Sequence, residues 1–194
     1  MSANAYASDA ATELQRPYDG GQKAFHWLVV ALVAMQLILA LIIPSFVDKD
    51  AKEALFQWHF AVGSTILLVM VLRLAWRLTH TQPPPPSDLS PTLKLVSRAT
   101  HWAFYAILVG LPIGGWVAAN AFGSTVRLLG LIPLPSLSAP DKAFAESIGG
   151  VHVTVAWVLI ALLALHISGA LYHALVKKDG VIRRIMPGAV APQV

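Results

Sequence analysis

The sequence predicts an all-α integral membrane protein, folded as a four-helix bundle. Of its 194 residues, 56% are hydrophobic and only 12% are charged, whereas soluble domains carry roughly 25% charged residues. Its mean hydropathy is +0.64. Four apolar stretches are long enough to cross a bilayer, which takes about 20 residues, and backbone groups inside lipid require helices. The chain has no cysteine, which excludes disulfides, thiol-attached haem and cysteine-held iron–sulfur or zinc sites.

The four predicted spans cover about residues 24–44, 54–78, 98–119 and 148–176. They form one membrane domain, residues 23–178, between an N-terminal tail of residues 1–22 and a C-terminal tail of residues 179–194. Four prolines from Pro83 to Pro86 end the second span and stiffen the loop that follows it. The longest loop, residues 120–146, contains apolar residues broken by prolines, and we expect it to cap the opposite end of the bundle.

The distribution of Lys and Arg predicts the orientation. An even number of spans places both tails and the loop between spans two and three on one side of the membrane. Ten basic residues belong to that side: Arg16, Lys23, Arg73, Arg77, Lys94, Arg98, Lys177, Lys178, Arg183 and Arg184. The other four are Lys49, Lys52, Arg127 and Lys142.

This bias predicts that both termini are cytoplasmic. The basic residues flank apolar spans, where they meet lipid phosphates. The sequence pI of about 9.6 is therefore explained without a nucleic-acid partner, and we expect none.

Histidines within the spans are the candidate functional groups, because ionisable side chains in a membrane are costly and usually functional. On span four, His152 and His166 are separated by 14 residues, which at 100° per residue is about 40° short of four full turns. They therefore share one face of the helix, about 21 Å apart along its axis. His173 follows on nearly the same face, about 10 Å further toward the cytoplasm.

Depth matching sorts these histidines into two pairs. Spans two and four both enter from the outside, so His59 and His152 lie at a similar depth near the outer surface. Span one enters from the cytoplasm, so His26 lies level with His166 in the inner half. Two such pairs on facing helices suit two b-type haems, each with one imidazole on either face of the ring.

Two alternatives remain open for these residues. A single histidine on a helix is usually a hydrogen-bonded structural residue, and zinc uses the same imidazoles, although two ligands at each depth are few for a tetrahedral site. At the inner level, His173 competes with His166 as ligand. Depth favours His166, because His26 lies within the hydrocarbon core of about 30 Å.

Three further residues are candidate cofactor-binding groups near the cytoplasmic side. Arg73 follows His59 by 14 residues, so it points inward at the end of span two, and Arg77 does the same one turn on. A haem propionate is the anionic partner that they suit, while ordinary positive-inside anchoring is the alternative. His101 opens span three and is interpreted as a propionate or quinone partner, with a simple interfacial position as the alternative.

An ordered set of motifs resembles the prokaryotic cytochrome b561 family, which is similar to the cytochrome b subunits of hydrogenases and formate dehydrogenases. The motifs are Phe25-His26-Trp27, Trp58-His59 with Gly63, Arg73 to Arg77 with the proline run, His101, the three histidines of span four, Lys178-Asp179-Gly180, and Arg183 to Pro187. The resemblance covers about residues 20–187. It implies a four-helix membrane protein with two haems b, whose bis-histidine ligands fall on His26, His59, His152 and His166.

The resemblance also implies the activity. Family members pass electrons between quinone, either ubiquinone or menaquinone, and a partner at the other face, with superoxide or a periplasmic redox protein as donor. We therefore expect an electron carrier that also acts as a quinone oxidoreductase. The resemblance places it in the lipid of a bacterial inner membrane, and we expect that it is able to form a homodimer. The alternatives are an anchor subunit of a larger redox enzyme, and a haem-free transporter or scaffold. Against a transporter, the spans contain no carboxylate and no broken helix.

Overall fold

The computed structural model describes residues 16–45, 48–85 and 89–188, and consists of four long helices that pack against one another in chain order. They are α1 (Gly20–Ile42), α2 (Lys49–Thr79), α3 (Pro91–Ala121) and α4 (Lys142–Leu171). All four are long and apolar enough to cross a membrane. The predicted fold class, an all-α integral membrane bundle, is confirmed.

Each helix begins at a side chain that caps its first turn. Asp19, Asp48 and Asp141 accept hydrogen bonds from backbone N–H groups in α1, α2 and α4, and Ser90 does so in α3. Such caps satisfy the amides that the first turn leaves without partners. Because these first turns are polar, α3 and α4 begin well before the apolar stretches from which their spans were predicted.

Shorter elements complete the chain at both ends of the bundle. They are a 3₁₀ turn (Ile43–Ser45), a two-stranded hairpin of β1 (Arg127–Leu128) and β2 (Ile132–Pro133), a π-helical segment (Tyr172–Lys177) and a second 3₁₀ turn (Ile182–Ile185). The hairpin lies at what we call the outer end, where α2 begins. The described ends of the chain meet at the inner end.

The loop between α3 and α4 packs over the outer end of α2. Ser64 Oγ donates a hydrogen bond to the carbonyl of Arg127, 3.1 Å away, and Val126 is buried beneath the hairpin. Ser138 Oγ donates to the carbonyl of Val117 at 3.0 Å, which ties the loop to α3 as well. The loop thus forms a cap, and it contains a hairpin that its prolines gave no reason to expect.

The inner end is tied together by Arg184. Its guanidinium donates to the carbonyls of Arg16 and Pro84, at 3.0 and 2.8 Å, and its own carbonyl accepts from Tyr18 N–H. Trp27 Nε1 donates to the carbonyl of Ile185. The two described ends of the chain therefore lie on the same side of the bundle, as an even number of spans requires. Pro86, most of the N-terminal tail and residues 189–194 lie outside the described residues.

An apolar core fills the middle of the bundle, and large apolar side chains also cover its outside. The buried core residues are Val29, Val33, Val62, Ile66, Val69, Met70, Tyr105, Leu108 and Leu159. On α2 this core falls between His59 and Arg73, and on α4 it falls between His152 and His166. It therefore separates an outer group of polar side chains from an inner one.

Candidate functional site

The outer group forms where α2 and α4 face each other. The rings of His59 and His152 lie with their centroids 6.2 Å apart and their planes at 64°. Both side chains are partly buried. The two histidines that the depth argument placed at the outer level are therefore neighbours.

The nitrogens of these two rings are only partly satisfied. His59 Nε2 lies 3.0 Å from Nε2 of Gln36 on α1, and the His152 ring lies near the backbone of Leu111 on α3. The Nδ1 atoms of both rings are buried, and no hydrogen-bond partner reaches either of them from the described residues. Since buried polar atoms are normally paired, these two rings are candidates for holding a cofactor.

The two rings open into one apolar cavity. Its lining comprises Gln36, His59, Phe60, Gly63, Ser64, Leu67, Pro112, Gly115, Trp116, Val126 and His152. Six side-chain nitrogen or oxygen atoms in the described part of the chain are buried without a partner, and four belong to this lining: His59 Nδ1, His152 Nδ1, Gln36 Oε1 and Trp116 Nε1. Since buried polar atoms are normally paired, the cavity fits a ligand that supplies a metal ion and polar groups.

Two glycines give the outer side chains room. A Cβ atom on Gly115 would lie 3.1 Å from Cε1 of His152, and one on Gly63 would lie 3.3 Å from Nε2 of Gln36. Both distances are shorter than ordinary van der Waals contact. The His152 ring and the Gln36 amide can therefore occupy their positions only because Gly115 and Gly63 have no side chain.

The inner group gathers side chains from all four helices. Arg73 Nη2 lies 3.4 Å from His26 Nδ1, and His26 is close enough to His101 and His166 to interact with both electrostatically. The His166 ring packs edge-on against His101 at 5.6 Å, and against Phe104 at 5.3 Å. His101 thus faces the bundle, next to His166.

Tyr105 joins the two arginines of the inner group. The Arg73 and Arg77 guanidiniums lie 5.7 and 5.8 Å from the centroid of its buried ring. Arg77 also lies 5.8 Å from the Trp102 ring. These cation–π contacts hold both positive charges inside the bundle, which is where a carboxylate ligand would need them.

His173 lies apart from the inner group, in the π-helical segment. Its Nδ1 is 2.5 Å from Oδ2 of Asp179, and Asp179 Oδ1 accepts from Val181 N–H. Partial burial alone would raise the pKa of Asp179, but the hydrogen bonds from His173 and Val181 hold it below its ordinary value. This pair therefore connects the end of α4 to the chain that follows it.

Sequence reasoning missed Gln36, Trp116 and Tyr105, and it named Asp179 only as part of the Lys178-Asp179-Gly180 motif. Gln36 is the only amide side chain in the predicted first span, and a polar side chain in a membrane span is a signal in itself. Tyr105 follows His101 by four residues, so it shares a helix face with it. No comparable signal marked Trp116, because tryptophan is common near the ends of spans.

The donor set fits a macrocycle better than a bare ion. No three His, Cys, Asp or Glu side chains converge as a metal site within residues 16–45, 48–85 and 89–188. A pair of imidazoles is too few for a closed structural zinc site. Two imidazoles do suffice for an iron whose remaining ligands come from a porphyrin.

Comparison with known proteins agrees with this chemistry. A family model described as prokaryotic cytochrome b561 matches residues 17–188. Cytochrome b561 homolog 2 of Escherichia coli (strain K12) is 30% identical over 165 residues, which cover 84% of this chain and 87% of that protein. The probable superoxide oxidase CybB of Yersinia pestis is 28% identical over 174 residues, covering 90% of this chain and 98% of that protein. Cytochrome b561 homolog 1 of Escherichia coli (strain K12) is 25% identical over 168 residues, covering 84% and 92%.

Proposed function

The chain belongs to the prokaryotic cytochrome b561 family, and on that premise we propose that it carries electrons across the bacterial inner membrane between quinone and a redox partner at the outer face. As a member it is a multi-pass membrane cytochrome b that transfers electrons and binds haem b. Beyond what membership gives, we propose that the chain binds two haems through named ligands, that quinone is a partner, and that the outer end of the bundle faces the periplasm.

The proposed ligands are His59 and His152 for the outer haem, and His26 and His166 for the inner one. A haem b with two imidazole ligands supplies one-electron redox chemistry at its iron. The observation that carries the proposal is that the rings of His59 and His152, 6.2 Å apart, line one cavity in which four polar atoms of the described residues are buried without partners. Gln36 on α1 meets His59 at 3.0 Å and lines the same cavity.

Arg73, Arg77 and His101 are proposed to serve the inner cofactor. Two guanidiniums beside His26 and Tyr105 offer charge-assisted hydrogen bonds to a haem carboxylate. His101 lies against His166, with its Nδ1 2.6 Å from the carbonyl of Ser97. Its other nitrogen remains available to a cofactor carboxylate or to a quinone oxygen.

Ubiquinone or menaquinone is the proposed partner at the inner end. Reduction of a quinone takes up two electrons and two protons, so its site needs side chains that exchange protons with the cytoplasm. His173 and Asp179 form such a pair at the end of α4. We propose His173 as a quinone-binding residue, near the membrane surface and beyond the inner histidines in depth.

Superoxide or a redox protein is the proposed partner at the outer end. Two superoxide anions would each give up one electron and become dioxygen, and one quinone would take both electrons with two protons to become quinol. An open hollow beside the hairpin is lined by Gln57, Thr125, Arg127 and Gly130, and its arginine favours the approach of an anion. The similar protein from Yersinia pestis is named a probable superoxide oxidase.

Spectroscopy of the purified full-length chain tests the proposal. We expect a reducible b-type spectrum, two haems per chain by pyridine haemochromogen assay, and reoxidation of the dithionite-reduced protein by a soluble quinone. A colourless preparation would contradict the proposal. Co-purification of a stoichiometric partner would support the anchor-subunit alternative, and light scattering of the same sample tests the predicted homodimer.

A further inference from the structure

Three large apolar side chains are exposed at the tip of the hairpin between α3 and α4. Leu129, Leu131 and Ile132 expose 51%, 76% and 57% of their surface. Apolar surface left in water costs free energy in proportion to its area. A cluster of this kind therefore indicates contact with an apolar partner or with the membrane.

The contacts of the hairpin show where it lies along α2. The carbonyl of Arg127 accepts a hydrogen bond from Ser64 Oγ at 3.1 Å, and a Cβ on Gly130 would lie 3.5 Å from the Cβ of Ala61. Val126, just before the hairpin, lines the outer cavity. The hairpin therefore packs against the side of α2, more than three turns after the helix begins.

The neighbouring helix α1 gives the depth of these contacts in the membrane. His59 meets Gln36 at 3.0 Å, and from Gln36 six further apolar residues carry α1 to Ile42 at the outer end, a distance of about 9 Å. Ala61 and Ser64 follow His59 in the opposite direction by two and five residues, which is about 3 and 7.5 Å deeper. The hairpin contacts therefore lie about 12 to 16 Å below the outer end of α1, at the depth of the hydrocarbon.

The backbone of the hairpin tip suits such a depth, because amides in lipid need partners within the protein. The N–H of Gly130 donates to the carbonyl of Arg127 at 3.1 Å, and the N–H of Leu131 donates to the carbonyl of Leu128 at 3.0 Å. Pro133 has no N–H to satisfy. The tip thus pairs these amides internally and presents apolar side chains to its surroundings.

The polar parts of the same loop lie nearer the outer end. Arg127 lines the open hollow together with Gln57, which is one turn of α2 closer to the outer end than Ala61. At the other end of the loop, the N–H of Asp141 donates to the carbonyl of Ala121, the last residue of α3. The loop is therefore amphipathic along the membrane normal, with its apolar tip at the greater depth.

We propose that the hairpin tip is inserted into the leaflet at the outer end of the bundle, where Leu129, Leu131 and Ile132 contact the acyl chains of phospholipids. The loop is then a re-entrant segment, and Val126 belongs to a wall between those acyl chains and the outer cavity. Lipid fits better than a second copy of the chain, because three side chains offer far less than the roughly 1,200 Å² that a stable interface buries. This inference depends on the membrane spans and not on the proposed haem ligands or quinone.

Spin labelling of the full-length protein tests the proposal, and the absence of cysteine from the chain makes a single label specific. Leu131→Cys is labelled with a nitroxide and reconstituted into phosphatidylcholine–phosphatidylglycerol vesicles. Power saturation then compares collisions with oxygen, which concentrates in acyl chains, and with a nickel chelate present in the water on both sides. Each is measured against nitrogen, so that the effect of a haem iron cancels.

The matched control is Ala139→Cys, an exposed position of the same loop outside the hairpin. We expect the ratio of oxygen to nickel collisions to be about tenfold higher for Leu131→Cys than for Ala139→Cys, because acyl chains exclude the polar chelate. If Leu131→Cys cannot be reconstituted, Ile132→Cys decides, and the same result is expected from it.

Two results would overturn the proposal. Equal ratios at the tip and at Ala139→Cys would place the tip in water, and low accessibility of the tip to both reagents would show that a second copy of the chain covers it. Haem content distinguishes this test from that of the proposed function. A colourless preparation with an oxygen-accessible tip would refute the proposed function and support the inserted hairpin.

Discussion

The outer and inner groups use the same ligand type in opposite electrostatic surroundings. Around His59 and His152, the described residues that line the cavity include no charged side chain, and the polar neighbour of His59 is the amide of Gln36. Around His26 and His166 lie two guanidiniums, and a tyrosine and a third histidine complete the group. One bundle therefore offers two sites whose differences come from neighbours rather than from ligands.

This contrast gives the proposed electron path a direction. A nearby cation stabilises the reduced, less positive state of a haem, and the guanidiniums of Arg73 and Arg77 belong to the inner group. The inner haem should therefore have the higher potential. Electrons would then run downhill from the outer face to the inner end, where quinone is proposed to bind.

The largest effect is expected when a histidine is removed from either pair, because one of the two haems should then be lost. His59→Ala and His152→Ala should each eliminate the same, lower-potential component, because each leaves that haem one ligand. His26→Ala and His166→Ala should each eliminate the higher-potential component. Redox titration monitored by absorbance measures both, and haem content per chain should fall by about half where the cofactor is lost. Loss of the same component from His59→Ala and His26→Ala would refute the pairing.

Removing the charge at Arg73 should reduce the contrast. Arg73→Leu should retain both haems and lower the potential of the inner one, because the reduced state loses a stabilising cation. We expect a change of about tenfold in the redox equilibrium, or about 59 mV. Arg73→Lys keeps the charge and should keep most of the potential. Equal potentials for the wild type and Arg73→Leu would assign Arg73 to the lipid surface.

The sequence predicted the four helices and the proximity of the outer histidines for the same reason. Both depend on distances along helices, which hydropathy and a rise of 1.5 Å per residue determine. The level of His59 and His152 follows from their places near the starts of α2 and α4. The ligand roles of these and the inner histidines remain predictions.

What the sequence did not predict depends on how the helices are rotated about their axes. Gln36 meets His59 only because α1 turns that face toward α2, and Tyr105 lies beside Arg73 and Arg77 only because α3 does the same. The hairpin at Arg127–Leu128 and Ile132–Pro133 depends on positive φ at Leu129 and Gly130 and on packing against Ser64. Neither rotation nor such packing has a period that a single sequence reveals.

Filling the space beside His152 should change the properties of the outer haem and leave those of the inner haem as they are. Gly115→Ala would place a Cβ 3.1 Å from His152 Cε1, so the ring must move by a few tenths of an ångström. We expect an altered low-spin EPR signal and weaker retention of the outer haem, with the inner haem intact. Gly114→Ala is the matched control, because a Cβ there meets nothing within 4 Å, while both substitutions favour the helix by roughly 0.5–1 kcal/mol. Identical spectra for the two variants would show that His152 does not hold a haem at this point.

The smallest effect is expected at His173, where the sequence left two interpretations. A carboxylate partner such as Asp179 is found behind metal-bound histidines as well as free ones, so the pair alone does not distinguish ligand from quinone contact. The neighbours do: His166 packs against His101 and interacts electrostatically with Arg73, whereas the His173 ring pairs with Asp179 in a π-helical turn about 10 Å nearer the surface. His173→Ala should therefore retain two low-spin haems, with slower reoxidation by quinone. It should also raise the pKa of Asp179 toward its ordinary value, because the hydrogen bond that lowers it is lost.

Asp179→Asn, which removes the same pair from the other side, should also slow reoxidation by quinone and leave both haems in place. A high-spin or missing inner haem in His173→Ala, together with an intact one in His166→Ala, would move the ligand to His173 and place the inner haem at the membrane surface.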